Sequence, residues 1–225
     1  MPETNIIFAT QFDIPKRTRE ECNLPKDKFI YCNFAQPYRI NKETFAMWAM
    51  ILQQTPNSIL WLHAYNEIQK RNLIANADLY GIAQERLFFS NHLLLTDNWH
   101  HQVADVWLDT THISSGTGIL LSLLADLPAI TLTGNTAQAR TASSILISCN
   151  LNDLVCNTQK EYINLAVFLY NDGDKLSQIK YKIHQTKDSM PMFQPQRFIH
   201  SLEETYLTMI DNHYNLNKHA DIITK

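Results

Sequence analysis

Five short apolar runs, separated by stretches long enough for a helix, limit what this chain can fold into. They are Phe29-Ile-Tyr-Cys-Asn-Phe34, Ile59-Leu-Trp-Leu-His63, Leu87-Phe-Phe-Ser90, Val106-Trp-Leu-Asp109 and Ala129-Ile-Thr-Leu-Thr133. Each is rich in the β-branched, aromatic and long aliphatic side chains that fit a pleated surface. Their starts lie 30, 28, 19 and 23 residues apart. Parallel strands need a crossover of a dozen or more residues, and each gap provides one. The runs are continuously apolar rather than alternating, as strands covered on both faces require. The expected fold class is therefore α/β, a doubly wound, Rossmann-like parallel sheet.

Helical patterns fill the gaps. Asn41 reads as an N-cap, and Phe45, Trp48, Ala49 and Leu52 follow at i, i+3, i+4 and i+7 spacing until Pro56 stops the helix. Tyr162, Leu165, Ala166, Leu169 and Tyr170 form a second stripe, closed by Asn171-Asp-Gly173. Leu176, Ile179 and Ile183 begin another, and Phe198, Leu202, Tyr206 and Met209 mark a last helix. Trp48, Tyr162 and Tyr206 sit at helical spacing and read as core. The organisation expected is a polar lead-in over 1–20, one domain over 21–210 and a polar tail over 211–225.

Composition narrows the function classes. With 19 Lys and Arg against 22 Asp and Glu, the chain has no basic excess for a nucleic-acid footprint. The most apolar run, Gly118–Leu132, is broken by Asp126 and Pro128 and falls short of the ~20 residues a membrane helix needs. Cys22, Cys32, Cys149 and Cys156 show no C-x-x-C spacing, so they read as free thiols in a reducing, cytoplasmic setting. No strand is followed by G-x-G-x-x-G or by G-x-x-x-x-G-K-[ST], which disfavours dinucleotide-binding dehydrogenases and P-loop enzymes.

In an open parallel sheet, ligands bind beyond the carboxyl ends of the strands, where the strand order reverses. Two loops stand there. Asn33-Phe-Ala-Gln-Pro-Tyr-Arg39 follows the first run, and Asp109-Thr-Thr-His-Ile-Ser-Ser-Gly-Thr-Gly118 follows the fourth. Small residues at the start of a helix leave backbone N–H groups free for an anion, and Arg39 adds a planar cation suited to phosphate. The same Ser-Ser-Gly-Thr-Gly string also reads as an N-cap with turn glycines. Asp172-Gly-Asp174 imitates a D-x-D metal motif but lies between two helical stripes and reads as a turn and N-cap. His100 and His101 are adjacent and make a poor metal pair, and His112 stands in the loop after the fourth run, where it could reach a ligand but is more often structural. No metal site or cofactor is expected.

Several strings together resemble the carboxyl-terminal catalytic lobe of the protein O-GlcNAc transferases, the Spindly-type family. They are Cys32-Asn-Phe-Ala-Gln-Pro-Tyr-Arg-Ile40, Met47-Trp48, Thr55-Pro-Asn-Ser-Ile-Leu-Trp-Leu62, Gln84-Glu-Arg-Leu-Phe-Phe-Ser90, Ala104-Asp-Val-Trp-Leu-Asp-Thr110 and Gly134 with Arg140-Thr-Ala-Ser143. The resemblance covers roughly residues 17 to 210. It implies one lobe of a two-lobed GT-B enzyme, a UDP-GlcNAc or related donor, no metal, and a separate amino-terminal lobe or acceptor protein as partner. It also implies that Gln36 and Arg39 meet the nucleotide and diphosphate, with Arg39 as the catalytic cation, and that His63 lines the donor pocket. The loop from Asn91 to Asp97, including Leu93, aligns with a nucleoside-binding segment whose usual lysine meets Leu95 or a gap. Ser115, Gly116 and Thr117 fall on the diphosphate loop. There the family's His-Thr-Thr-Gly aligns with Gly116-Thr-Gly-Ile119, its usual lysine is Arg39, and its ribose-contacting aspartate is Leu121. Two other readings stay open: a non-catalytic binding or partner-stabilising subunit of the same fold, and a UDP-glucose-dependent protein glucosyltransferase.

Overall fold

A computed structural model of the chain describes residues 6–8, 17–90 and 100–214. The expected runs form β1 (Phe29–Asn33), β2 (Ser58–His63), β3 (Leu87–Ser90), β4 (Val106–Leu108) and β5 (Ala129–Leu132). A sixth strand, β6 (Val155–Cys156), completes the sheet; its two residues are too few for a pattern to announce. Phe34 and Asp109 lie just past the ends of their strands. The order is β3-β2-β1-β4-β5-β6, with every neighbouring pair parallel. β1 is central, with Tyr31 opposite Val106 and Cys32 opposite Trp107 on one side and Cys32 opposite Trp61 on the other. Both faces are covered: four successive residues, Ile30 to Asn33, are buried, and all six of β2 are too.

The helices are α1 (Lys42–Gln54), α2 (Glu67–Leu79), a single turn α3 (His100–Val103), α4 (Thr117–Leu124), α5 (Ala137–Ser148), α6 (Gln159–Asn171), α7 (Gly173–Thr186) and α8 (Pro195–Tyr214). Five of them begin at a side-chain cap, which satisfies one of the backbone donors a helix start leaves open. Asn41, Asn66, Thr136, Thr158 and Asp172 each accept from the backbone N–H three residues on. Asp172-Gly-Asp174 is thus a turn and cap, as its setting predicts. α4 has no such side-chain cap at Gly116.

At the amino ends of the strands, Arg19 donates to the Val103 and Lys28 carbonyls and pairs with Asp105 at 2.7 Å. Asp105 in turn accepts from the Ile30 N–H. Further upstream, the Phe8 N–H donates to the Met192 carbonyl at 2.9 Å. The four cysteines form no disulfide, and burial pushes the Cys149 and Cys156 thiols up to about 12. Among the described residues no helix is long and apolar enough to cross a membrane.

Trp48 and Tyr162 are core, as their spacing predicts, but Tyr206 is not. It is 54% exposed, and Ile199, Leu207, Met209 and Ile210 beside it are exposed as well. α8 is amphipathic, and none of its residues is buried. Periodicity shows that a helix has an apolar side without showing what covers it.

α1 packs against α6 through a polar relay inside this core. The Trp48 Nε1–H donates to the Tyr162 hydroxyl at 3.2 Å, and that hydroxyl donates to the Asp109 carbonyl at 2.9 Å. Tyr162→Phe would orphan a buried donor and a buried acceptor together. It is expected to cost about 1–3 kcal/mol of unfolding free energy, seen as a lower urea midpoint with an unchanged slope.

Candidate functional site

The reversal of strand order falls between β1 and β4, and the two loops at their carboxyl ends face each other there. Asn33 closes the end of β1. Its Nδ2 donates to the Leu108 carbonyl across the gap at 2.7 Å, and its Oδ1 accepts from the Ala35 N–H at 2.9 Å. The chain then turns outward at Phe34 and makes a short 3-10 turn, Pro37–Arg39, which leads into the Asn41 cap.

The second loop is held by Asp109, which is fully buried. Its Oδ1 accepts from the Ser115 N–H at 2.9 Å and its Oδ2 from the Thr131 hydroxyl at 2.8 Å. Burial pushes its carboxyl up to about 6, against the pull of these same hydrogen bonds. Ser114 fastens the loop to the start of α5. Its N–H and hydroxyl both donate to the Gln138 carbonyl, and its Oγ accepts from the Ala142 N–H. Thr111 meets Thr44 of α1 at 2.9 Å, and the Asn41 amide donates to the His112 ring at 2.6 Å. His112 is exposed and joins the loop to the α1 cap, a structural place.

Between the loops lies a cavity of about 690 Å³. Gln36, Arg39, Ser115, Gly116 and Thr117, all expected at the site, line it together. So does Leu121. His63 does not line it. It is 2% exposed, its Nδ1 lies 3.0 Å from the Ser90 carbonyl, and its ring meets Tyr65 edge-on at 4.2 Å. Tyr65 and Ser90 stand on the cavity wall in its stead. Burial lowers the His63 pKa and keeps the ring neutral. Leu93 and the segment around it lie outside the described residues.

The structure adds residues that the sequence did not single out. Phe34 and Trp107 form an aromatic wall, their ring centroids 5.8 Å apart, and His101 stacks on Trp107 at 5.2 Å with an 11° interplanar angle. Phe34 had a signal, since it directly follows the carboxyl end of a central strand. Trp107 had none, because a tryptophan inside an apolar strand reads as core.

Among the described residues lining the cavity, Arg39 is the only lysine or arginine, and no carboxylate is present. Three buried polar atoms of the wall have no hydrogen-bond partner: Arg39 Nε, Ser115 Oγ and Trp107 Nε1. An unmade buried hydrogen bond costs about 1–3 kcal/mol, so such atoms mark where something else binds. Together with the uncapped start of α4 and its dipole, they form a site for an anion beside aromatic faces. A Cβ at Gly116 would make only ordinary contacts, with Thr141 at 3.4 Å and Ile6 at 3.7 Å.

The Asp109 clamp gives a pH signature. An unfolded Asp titrates near 3.8, whereas the folded carboxyl keeps its proton up to about 6. Between those values the folded state binds more protons than the unfolded one, so stability falls as pH rises through the window. The difference amounts to about 3 kcal/mol. Urea unfolding of wild type and Asp109→Asn at pH 4 and pH 7 is expected to show wild type losing ground to the variant at pH 7. A pH-independent gap between the two would contradict this.

Comparison with known proteins bears on the family and the fold. The sequence model of glycosyl transferase family 41 matches residues 8–202. A UDP-N-acetylglucosamine–peptide N-acetylglucosaminyltransferase of Caenorhabditis elegans is 30% identical over 201 residues, covering 87% of this chain and 18% of its own length. The probable Arabidopsis thaliana enzyme of that description, SEC, is 29% identical over 200 residues, covering 88% of this chain and 20% of its own length. In structure, a mutant O-GlcNAc transferase of Thermobaculum terrenum superposes with a TM-score of 0.76 at 29% identity, over 84% of this chain and 39% of that one. The Anabaena protein HepE, solved in complex with UDP, shares the fold at a TM-score of 0.63 and 14% identity, over 83% of this chain and 51% of its own. This chain spans about a fifth of the length of the curated relatives it matches.

Proposed function

The chain belongs to glycosyl transferase family 41, and from that premise we propose that it is the nucleotide-sugar-binding lobe of an inverting, metal-independent protein O-GlcNAc transferase. Its sheet is a Rossmann-like lobe of the GT-B kind. The donor proposed is UDP-GlcNAc, seated in the cavity between the β1 and β4 loops. The observation that carries this reading is the convergence of Arg39 Nε and Ser115 Oγ, both without a protein partner, on the uncapped start of α4.

The chemistry follows from that convergence. As the bond from the anomeric carbon to the β-phosphate oxygen breaks, negative charge grows on the departing UDP. The Arg39 guanidinium and the α4 dipole stabilise that charge where it develops. The acceptor hydroxyl enters on the opposite face of the sugar, which inverts the anomeric centre. In this proposal the group that takes the acceptor proton belongs to a second lobe, because the described wall of this cavity holds no carboxylate. The same observation favours one other reading, a non-catalytic subunit that binds the nucleotide sugar without transferring it. A transfer assay with the second lobe supplied separates the two. Free thiols suit a cytoplasmic setting for either.

Calorimetry tests the site directly. Arg39→Ala is expected to weaken UDP ten- to hundredfold, the loss of one charged hydrogen bond at about 1.5–3 kcal/mol. Uridine affinity should be nearly unchanged, and Arg39→Lys should fall between, since an ammonium keeps the charge and loses the planar fork. Adding EDTA should change nothing. Equal losses for UDP and uridine would place the diphosphate away from Arg39.

A further inference from the structure

The second residue of α4 is a glycine, and the structure shows why. A Cβ built at Gly118 would lie 2.7 Å from Trp107 Cζ2, 2.9 Å from Trp107 Cη2 and 3.2 Å from Ser115 Cβ. The indole occupies the room a side chain at position 118 would need. Where the resemblance would place a threonine hydroxyl, position 118 carries no side chain, and the edge of an indole ring stands there.

That edge has a donor to offer. Trp107 is 1% exposed, and its Nε1–H has no acceptor in the protein. Trp48 provides the contrast, with an equally buried indole N–H that is satisfied by the Tyr162 hydroxyl. The ring cannot readily turn to find a partner. His101 stacks on one face, Phe34 meets it edge-on, and Gly118 presses on the Cζ2 side. Nε1 and Cζ2 are both bonded to Cε2, so the N–H shares the ring edge that faces α4. Ser115 Oγ, also buried without a partner, belongs to the residue packed at that edge, and both residues line the cavity. A buried donor left open at the start of an uncapped helix is fitted to an oxyanion.

We infer that Trp107 is a ligand-binding residue, its indole N–H donating to a diphosphate oxygen of the nucleotide-sugar donor in place of the hydroxyl that Gly118 does not carry. The inference rests on the reading of the cavity as a UDP-sugar site and assigns one of its contacts. A neutral N–H on a fixed ring gives that contact direction without adding charge.

Nuclear magnetic resonance of the full ¹⁵N-labelled chain tests this. The chain has 4 tryptophans, and their indole N–H signals are assigned through bonds on the wild type, so the result does not hang on a variant folding. Titration with UDP is expected to move the Trp107 indole proton downfield, while uridine leaves it in place. In calorimetry, Trp107→Phe is expected to bind UDP roughly tenfold more weakly and uridine as before. If UDP binds wild type and the Trp107 indole proton does not shift downfield, the inference is overturned and the cavity reading stands. The same holds if a folded Trp107→Phe binds UDP undiminished. If wild type binds no UDP at millimolar ligand, the cavity reading fails and takes the inference with it.

Discussion

Taking a carboxylate out of water costs several kcal/mol unless donors replace the solvent, and the binding end of this fold is organised around one such replacement. Asp109 sits at the carboxyl end of β4, receives the Ser115 N–H and the Thr131 hydroxyl, and offers its own carbonyl to Tyr162. Those three bonds tie the loop to β5 and α6. The bond to Ser115 also fixes the chain just before α4, because Ser115 directly precedes the N-cap residue Gly116. Together with Ser114, which fastens the same loop to α5, this group holds the stretch from Ser115 to Gly118 against the sheet.

The sheet was legible for a physical reason. Strands buried on both faces cannot alternate, so their sequences become continuous apolar runs, and the gaps between them match helical crossovers. The Asn41 and Asp172 caps were readable because a short polar side chain before a periodic stripe has one common use. β6 escaped notice because Val155 and Cys156 are too short a stretch to carry a period. Tyr206 went astray differently. The stripe Phe198, Leu202, Tyr206 and Met209 does lie on a helix, yet amphipathicity fixes only which side is apolar.

The site divides along a similar line. Gln36, Arg39, Ser115, Gly116 and Thr117 followed from the rule that ligands sit at the carboxyl edge where the strand order reverses, and from the resemblance; the structure gathers all five on one cavity. His63 came from the resemblance alone, and it stands behind Tyr65 and Ser90, neutral and buried. Trp107 was invisible as a site residue. What separates it from the core tryptophan Trp48 is whether an acceptor waits for its N–H, and acceptors are a property of folded space.

The contact between Trp107 and Gly118 also makes the two positions a single heritable unit. A threonine at 118 beside the indole has nowhere to put its Cβ, while a small residue at 107 beside the glycine leaves a void where the ring stood. Effects at touching positions do not add, so the order of exchange matters. A route that shrinks position 107 first passes through an underpacked but open state. The reverse order meets a backbone-borne clash in the middle of a close-packed layer. Divergence at this edge of the pocket therefore runs, in either direction, through the state with a small residue at 107 and glycine at 118, and a chain that keeps the tryptophan holds its glycine by steric necessity.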